Sequence, residues 1–285
     1  MREELQRKVN FAIKLLQSAE KMAAKVNQPV EIAYSGGKDS DVILELAKMA
    51  GINYRAIYKN TTLDPPGTIK HALKMGCEIK RAKKTFSQLI HQFGFPSRTR
   101  RFCCTALKEY KILDYVVIGV RREESRKRAE RYKEPERCRA FSKNVKVRQY
   151  LPILEWTKED IAEFIEERGI KCHPLYYDEQ GKFHVERRLG CLCCPLKSTR
   201  LRIEDFKQYP RMVRLYIRAE MVFWDNHPDL KTRQHVKDPY QWFVLQIFCT
   251  SIQEFKDKFG KNLFDDGIDC KKYLEDYFDI NLDFA

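Results

Sequence analysis

Six consecutive residues, Ser35-Gly36-Gly37-Lys38-Asp39-Ser40, carry the most direct chemistry in the chain. Two glycines let the backbone turn sharply and bring its N–H groups close to an anion. Ser35 and Ser40 add hydroxyl donors, and Lys38 adds a compact positive charge suited to phosphate. Asp39 can hold Mg²⁺ or orient the lysine. An apolar run precedes the six residues and a helical pattern follows them. The amides and dipole of that helix N-terminus add to the cradle. The spacing is not that of the P-loop of kinases and GTPases, which places a longer gap between its glycines. A lone Gly-Gly would read as an ordinary β–α turn; six fitting residues in this context read as a nucleotide-phosphate site.

A second constellation is made of thiols. The chain has ten cysteines, and Cys103-Cys104 together with Cys191-x-x-Cys194 form a four-ligand set. Four thiolates can hold a tetrahedral Zn²⁺ or a [4Fe–4S] cluster. Adjacent cysteines reach one small ion poorly, whereas a cluster gives each iron its own thiolate. Cys193 lies between two candidate ligands and Cys172 lies near them, so either can substitute. Isolated Cys77, Cys138, Cys249 and Cys270 read as core thiols. The N-terminus, Met1 to Asn27, has no secretory pattern, so a cytoplasmic location with reduced thiols is expected.

Residues 121–139 hold nine Lys/Arg and five Glu. For the outer ones a solvated, salt-bridged face is the expected reading. Gly119, Arg121 and Arg128 differ, because they follow the apolar strand 115–118 at the end where α/β sheets bind ligands. Arginine forks suit phosphate bidentately. Arg98, Arg100 and Arg101 place further charge beside Cys103 and could carry a nucleic-acid backbone.

These residues need elements to hold them. An amphipathic helix is expected over 3–26, ended by Pro29. Strands are expected at 30–34, 53–58 and 115–118, with a shorter segment at 77–80. Helices are expected at 40–49, after the loop 60–67, and at 86–93. Thr157 reads as an N-cap with an acidic partner at Asp160, opening a helix that ends at Gly169. Residues 170–200 are loop-rich. Beyond 203 the pattern is helical and aromatic, and Tyr240 to Phe255 reads as one buried helix containing Cys249. The alternation implies an α/β fold: a parallel twisted sheet with helices on both faces, Rossmann-like, plus a helical C-terminal portion. The expected division is 1–200 for the phosphate-binding domain with its cysteines and 201–285 for the helical portion.

Composition agrees with a globular chain of 285 residues, 43% hydrophobic and 33% charged, and disorder is not expected. No apolar run approaches the roughly 20 residues of a membrane helix. A formal charge of +14 favours anionic partners such as nucleotides or nucleic acid.

Ser35 to Ser40 resembles the PP-motif of the ATP-pyrophosphatase (adenine nucleotide alpha hydrolase-like) superfamily, and several further segments resemble its PAPS reductase-like family. Gly119-Val-Arg121-Arg-Glu-Glu124-Ser125-Arg-Lys-Arg128 is similar to a Gly-x-Arg-x-x-Glu-Ser-x-x-Arg segment. Arg101-Phe-Cys103-Cys104-Thr-Ala-Leu-Lys108 is similar to the Cys-containing helix. Leu151 to Thr157, His173-Pro174-Leu175-Tyr176 and Gly190-Cys191-Leu-Cys193-Cys194-Pro195 match further stretches, so the likeness runs from about Val30 to Lys197. The resemblance implies ATP on Ser35, Gly36, Gly37, Lys38, Asp39 and Ser40, with adenine near Tyr58 to Thr62, including Asn60 and Thr61. It implies that Gly119, Arg121, Glu124, Ser125 and Arg128 line the pocket. Lys38, Asp39, Arg121 and Arg128 are the candidate catalytic residues. It also implies a [4Fe–4S] cluster on Cys103, Cys104, Cys191 and Cys194, in preference to Zn²⁺, with Lys108 beside it.

The sulfonucleotide reductases of the family carry a Glu-Cys-Gly-x-His segment near the C-terminus, which is absent here. Cys270 and Cys249 do not replace it. The chain also keeps Lys38 and Asp39, which suit a triphosphate. The leading expectation is therefore an enzyme that uses Mg²⁺ and cleaves ATP to AMP and pyrophosphate, adenylating an acceptor. The resemblance to the ATP pyrophosphatases of DNA phosphorothioation systems suggests a DNA acceptor, with tRNA as a neighbouring possibility. Expected partners are a sulfur-donor protein such as a cysteine desulfurase and a second copy of the chain. Two other readings stand beside it: a reductase releasing sulfite, and a non-catalytic nucleotide-gated subunit that binds nucleic acid.

Overall fold

The computed structural model describes residues 1–142, 145–260 and 267–284. In chain order the elements are α1 (Glu3–Ala24), β1 (Val30–Tyr34), α2 (Lys38–Ala50), β2 (Tyr54–Asn60), α3 (Thr68–Lys74), β3 (Glu78–Arg81), α4 (Phe86–Phe93) and α5 (Phe102–Leu107). They continue with β4 (Tyr115–Val117), α6 (Arg126–Arg131), β5 (Glu136–Ser142), β6 (Val145–Tyr150) and α7 (Lys158–Glu167). Last come α8 (Thr199–Gln208), α9 (Pro210–Asp225), α10 (Pro239–Phe248), α11 (Ile252–Phe259) and α12 (Cys270–Phe278). The chain divides into two compact units. One comprises Met1–Asn60, Asp64–Ala82 and Lys108–Gly190; the other comprises Thr61–Leu63, Lys83–Leu107 and Cys191–Ala285.

The first unit is built on a six-stranded sheet of order β3-β2-β1-β4-β6-β5. Neighbours are parallel except β5, which runs antiparallel to β6. Helix α1 buries Leu5, Val9, Ala12, Leu16, Ala19 and Ala23, spaced three and four apart, the period that gathers one face of a helix. They join Val30, Ile32 and Tyr34 of β1, Val42 and Leu46 of α2, and Trp156 and Phe164 in one core. Thr157 caps α7: its side chain accepts from the Asp160 amide while Asp160 accepts from the Thr157 amide, at 3.2 and 2.9 Å. Because β2 and β3 lie on one side of β1 and β4 on the other, the order reverses between β1 and β4. That reversal opens a crevice at the carboxyl ends of the strands.

The expected parallel sheet is present, with one addition at its edge, where β5 and β6 form an antiparallel hairpin. Residues 136–142, Glu-Arg-Cys-Arg-Ala-Phe-Ser, lack an apolar alternation and read along the sequence as part of the basic arm. As an edge strand, β5 tolerates charge and its charges guard the edge. Cys138 lies exposed on β5 rather than in a core.

The second unit is helical and aromatic. Phe95, Phe206, Tyr216 and Phe243 pack as a group, with ring centroids 5.3–6.5 Å apart. The single helix expected over 240–255 is in fact two. Helix α10 stops at Phe248, Cys249 takes an extended conformation, and Ser251 caps α11 by accepting from Glu254. Capping serines compete with helix continuation, so Thr250-Ser251 is the break. Cys249 is half-buried there, outside any helix. Cys77 and Cys270 are buried, as expected.

Candidate nucleotide-phosphate site

Strand β1 ends at Tyr34 and α2 begins at Lys38, so the six-residue loop spans the turn at the sheet's reversal point. Gly36 adopts φ +80, a region that side chains disfavour. A Cβ there would also meet Thr68 Cγ2 at 2.6 Å. Gly37 is the N-cap and supplies no capping side chain; helix amides at such an end seek outside acceptors. The loop is drawn tight by Ser40: its hydroxyl donates to the Gly37 carbonyl at 2.7 Å and lies 3.2 Å from the Ser35 hydroxyl. The Lys38 amide donates to the Tyr176 hydroxyl at 3.3 Å.

The charged groups of the loop are held inward. Lys38 is buried, with Nζ 3.5 Å from Asp39 and donating to the Arg187 carbonyl at 3.3 Å. Burial pushes its ammonium below the ordinary lysine value, and nearby Arg121 and Arg188 push the same way, against the pull of Asp39. Asp39 accepts from Arg121 Nε at 2.7 Å, and Arg121 Nη1 donates to Glu123 at 2.7 Å. Gly119 passes close to α2, since a Cβ there would sit 3.4 Å from Asp39 Cβ. Glu124 pairs with Arg128 and, at 2.8 Å, with Arg188. Burial lowers the Arg128 guanidinium, with Arg188 adding to it. Ser125 caps α6 by accepting from the Arg128 amide.

The structure thus gathers Ser35 to Ser40, Gly119, Arg121, Glu124 and Arg128 in one unit. A cavity of about 180 Å³ lies beside them, lined among others by Ser35, Tyr58, Asp64 and Ile118. Asn60 ends β2 in the same unit and is buried. Thr61 belongs to the second unit, where its hydroxyl lies 3.7 Å from Cys191 Sγ and accepts from the Leu63 amide. Sequence reasoning gave Arg187 and Arg188 no role. The adjacent basic pair just before Gly190-Cys191 was the available signal.

The cysteines gather in the second unit. The Cys103 thiol is pushed up by its contact with Cys104, then by burial, then by the charges of Cys104, Cys194 and Cys191. Thiolates crowded in this way would be relieved by shared positive charge. Among the described residues no group of three or more His, Cys, Asp or Glu side chains could hold a metal ion. Cys193 takes a left-handed conformation, φ +54, and is buried, with its amide donating to Asp205 at 2.7 Å. Cys172 lies in the first unit, hydrogen-bonded to Asp41. The arginines expected to face nucleic acid have other partners. Arg98 donates to the carbonyls of Pro195 and Lys197, Arg100 to Phe95, and Arg101 to Cys104 Sγ at 3.5 Å.

Comparison with known proteins bears on this arrangement. The sequence profile of the phosphoadenosine phosphosulfate reductase domain matches residues 28–197. Two uncharacterized proteins of Methanocaldococcus jannaschii are similar. One is 26% identical over 66% of this chain and 40% of its own length; the other is 27% identical over 75% and 52%. A 37.8 kDa protein of Escherichia phage 186 is 31% identical over 46% of this chain and 39% of its own. The chain thus spans about half or less of the length of these relatives. Among solved structures, a Candida auris phosphoadenylyl-sulfate reductase in a phosphate complex is 14% identical, covering 67% of this chain and 96% of that one at a TM-score of 0.44. A Candida glabrata FMN adenylyltransferase is 16% identical, covering 61% and 58% at 0.43. No helix among the described residues is long and apolar enough to cross a membrane.

Proposed function

The chain belongs to the phosphoadenosine phosphosulfate reductase domain family, and from that premise we propose that it is an ATP pyrophosphatase that adenylates an acceptor. The observation that carries the reading is the complete loop, with buried Lys38 and the Asp39–Arg121 pair set at the sheet's reversal point. The triphosphate lies on the loop amides and Lys38, and its nucleoside enters the cavity beside Ser35 and Tyr58. An acceptor oxygen attacks the α-phosphate, the α–β bond breaks, and pyrophosphate leaves with the electron pair. Lys38, Arg121 and Arg128 balance the charge that develops on the leaving group. Asp39 would hold Mg²⁺ through its carboxylate, and the ion would supply further charge stabilisation there.

The acceptor we propose is a nucleic-acid backbone, DNA before tRNA, consistent with the +14 balance and steered by it. Adenylation would prepare it for sulfur delivered by a partner such as a cysteine desulfurase. Cys103, Cys104, Cys191 and Cys194 would hold a [4Fe–4S] cluster, which would supply electron or sulfur transfer chemistry. Reduction of an adenylylsulfate is less well supported. It needs an accessible thiol near the C-terminus, yet burial pushes Cys270 up to about 12 and also raises Cys249, the reverse of a nucleophile.

The test is to purify the protein anaerobically, supply Mg²⁺–ATP with and without DNA or tRNA, and quantify AMP and pyrophosphate. The expected result is equal amounts of both, raised by one nucleic acid. In Lys38→Ala the rate should fall by about 10²–10³, the usual cost of one transition-state donor. ATP binding without any AMP under these conditions would overturn the proposal in favour of a nucleotide-gated binding subunit.

A further inference from the structure

Beneath the phosphate loop lies a polar cluster that the proposed chemistry does not use. Asp41, one residue past the loop, is fully buried. Its carboxylate accepts from the Tyr34 hydroxyl at 2.5 Å, from His71 Nε2 at 3.0 and 3.1 Å, and from the Cys172 thiol. Burial raises the pKa of this carboxyl, while His71, Tyr34 and Cys172 pull it back. Taking a carboxylate out of water costs several kcal/mol unless its hydrogen bonds are met. Here three donors meet them.

The geometry gives that cost a use. Tyr34 is the last residue before the loop and Asp41 the first after it, so their hydrogen bond closes the loop's two ends on each other. The Asp41 amide also donates to the Gly37 carbonyl at 3.1 Å. His71 comes from α3 and ties that helix to the clamp. Its ring stands edge-on to His173 at 5.7 Å, and His173 Nε2 is 3.5 Å from the Thr68 hydroxyl. Thr68 is the residue whose methyl fills the space beside Gly36. The chain of contacts therefore runs Tyr34–Asp41–His71–His173–Thr68–Gly36 and returns to the loop at its left-handed glycine.

We propose that Asp41 and His71 are positioning residues that hold the phosphate loop in its anion-binding shape before the nucleotide arrives. The inference rests on the reading that this loop binds phosphate. Neither residue touches the nucleotide; both act through the backbone of residues 35–40. A preformed loop spends less binding energy on ordering. Loss of the brace therefore weakens phosphate binding and leaves the chemical step nearly intact.

The test compares His71→Leu, which removes the donor, with His71→Gln, whose amide nitrogen can replace Nε2, and with Asp41→Asn. Affinity is measured by calorimetry with Mg²⁺ and α,β-methylene-ATP, and separately with Mg²⁺–pyrophosphate as a probe of the loop alone. Far-UV circular dichroism melts report folding. The expected result is affinity about tenfold or more weaker for His71→Leu and Asp41→Asn. The loss should be the same factor for both probes, and His71→Gln should stay within about threefold of the parent. KM should rise while kcat changes little. Equal affinities in the parent and in folded His71→Leu would overturn the brace while leaving the nucleotide reading in place. A parent that binds neither probe would overturn that reading and the brace with it. If His71→Leu melts early, His71→Gln and Asp41→Asn decide: weak binding by folded Asp41→Asn supports the brace, and unchanged binding sinks it.

Discussion

Lys38 is where residue-level chemistry is most exposed to test. Its ammonium is held below the ordinary lysine value of 10.5, first by burial. In the proposed reaction the protonated form balances phosphate charge, so activity is expected to be lost as pH rises through the folded pKa. The alkaline limb of kcat/KM, which reports the free enzyme, should therefore fall at lower pH than an ordinary lysine would give. Lys38→Arg, which stays charged, should abolish that limb if it keeps any activity. A limb at the usual lysine pH in the parent would remove Lys38 from this role. The residues of this site divide sharply in how visible they were. Ser35 to Ser40 could be read because six chemically matched residues are contiguous and sit between a strand and a helix. Asp41 and His71 could not: thirty positions separate them, and a lone histidine in a helical stretch reads as core or surface. Arg188 was hidden for a similar reason, since its partner Glu124 lies 64 positions away.

At the scale of elements, capping chemistry could be read before any fold was known. Thr157 followed three positions on by Asp160 predicts a helix start, and both reciprocal hydrogen bonds are present. Thr157→Ala should cost about 1 kcal/mol. In a two-state melt that lowers the midpoint by about 2–4 °C, with no change in AMP formation. A fall in activity without a fall in midpoint would mean that the cap acts on the site. The hairpin of β5 and β6 was not readable, because an edge strand needs no apolar alternation and its charges mimic a solvated arm. The split of the 240–255 stretch was also hidden. Aromatic periodicity continues through Thr250-Ser251, and only the capping hydrogen bond from the Glu254 amide to Ser251 marks the break.

For the whole molecule, the second unit is assembled from three separated stretches, and a reading that moves along the chain has no access to such an assembly. Cys103, Cys104, Cys191 and Cys194, two pairs almost 90 residues apart, all belong to that unit, and the cluster proposed on them is a matter for experiment. Protein isolated without oxygen should carry about four irons with the broad visible absorbance of a [4Fe–4S] cluster. Cys104→Ser should lose most of both, whereas Cys138→Ser, on the exposed edge strand, should lose neither. One zinc per chain, or no metal at all, would contradict that assignment.

The central claim is that the loop directs cleavage between the α- and β-phosphates. ATP labelled with ³²P at the γ-position, turned over with Mg²⁺ and the stimulating nucleic acid, tests it most directly. Label is expected in pyrophosphate, with unlabelled AMP formed in equal amount and both lost in Lys38→Ala. Label recovered as orthophosphate with ADP remaining would contradict it, because the loop would then be cutting at the γ-phosphate.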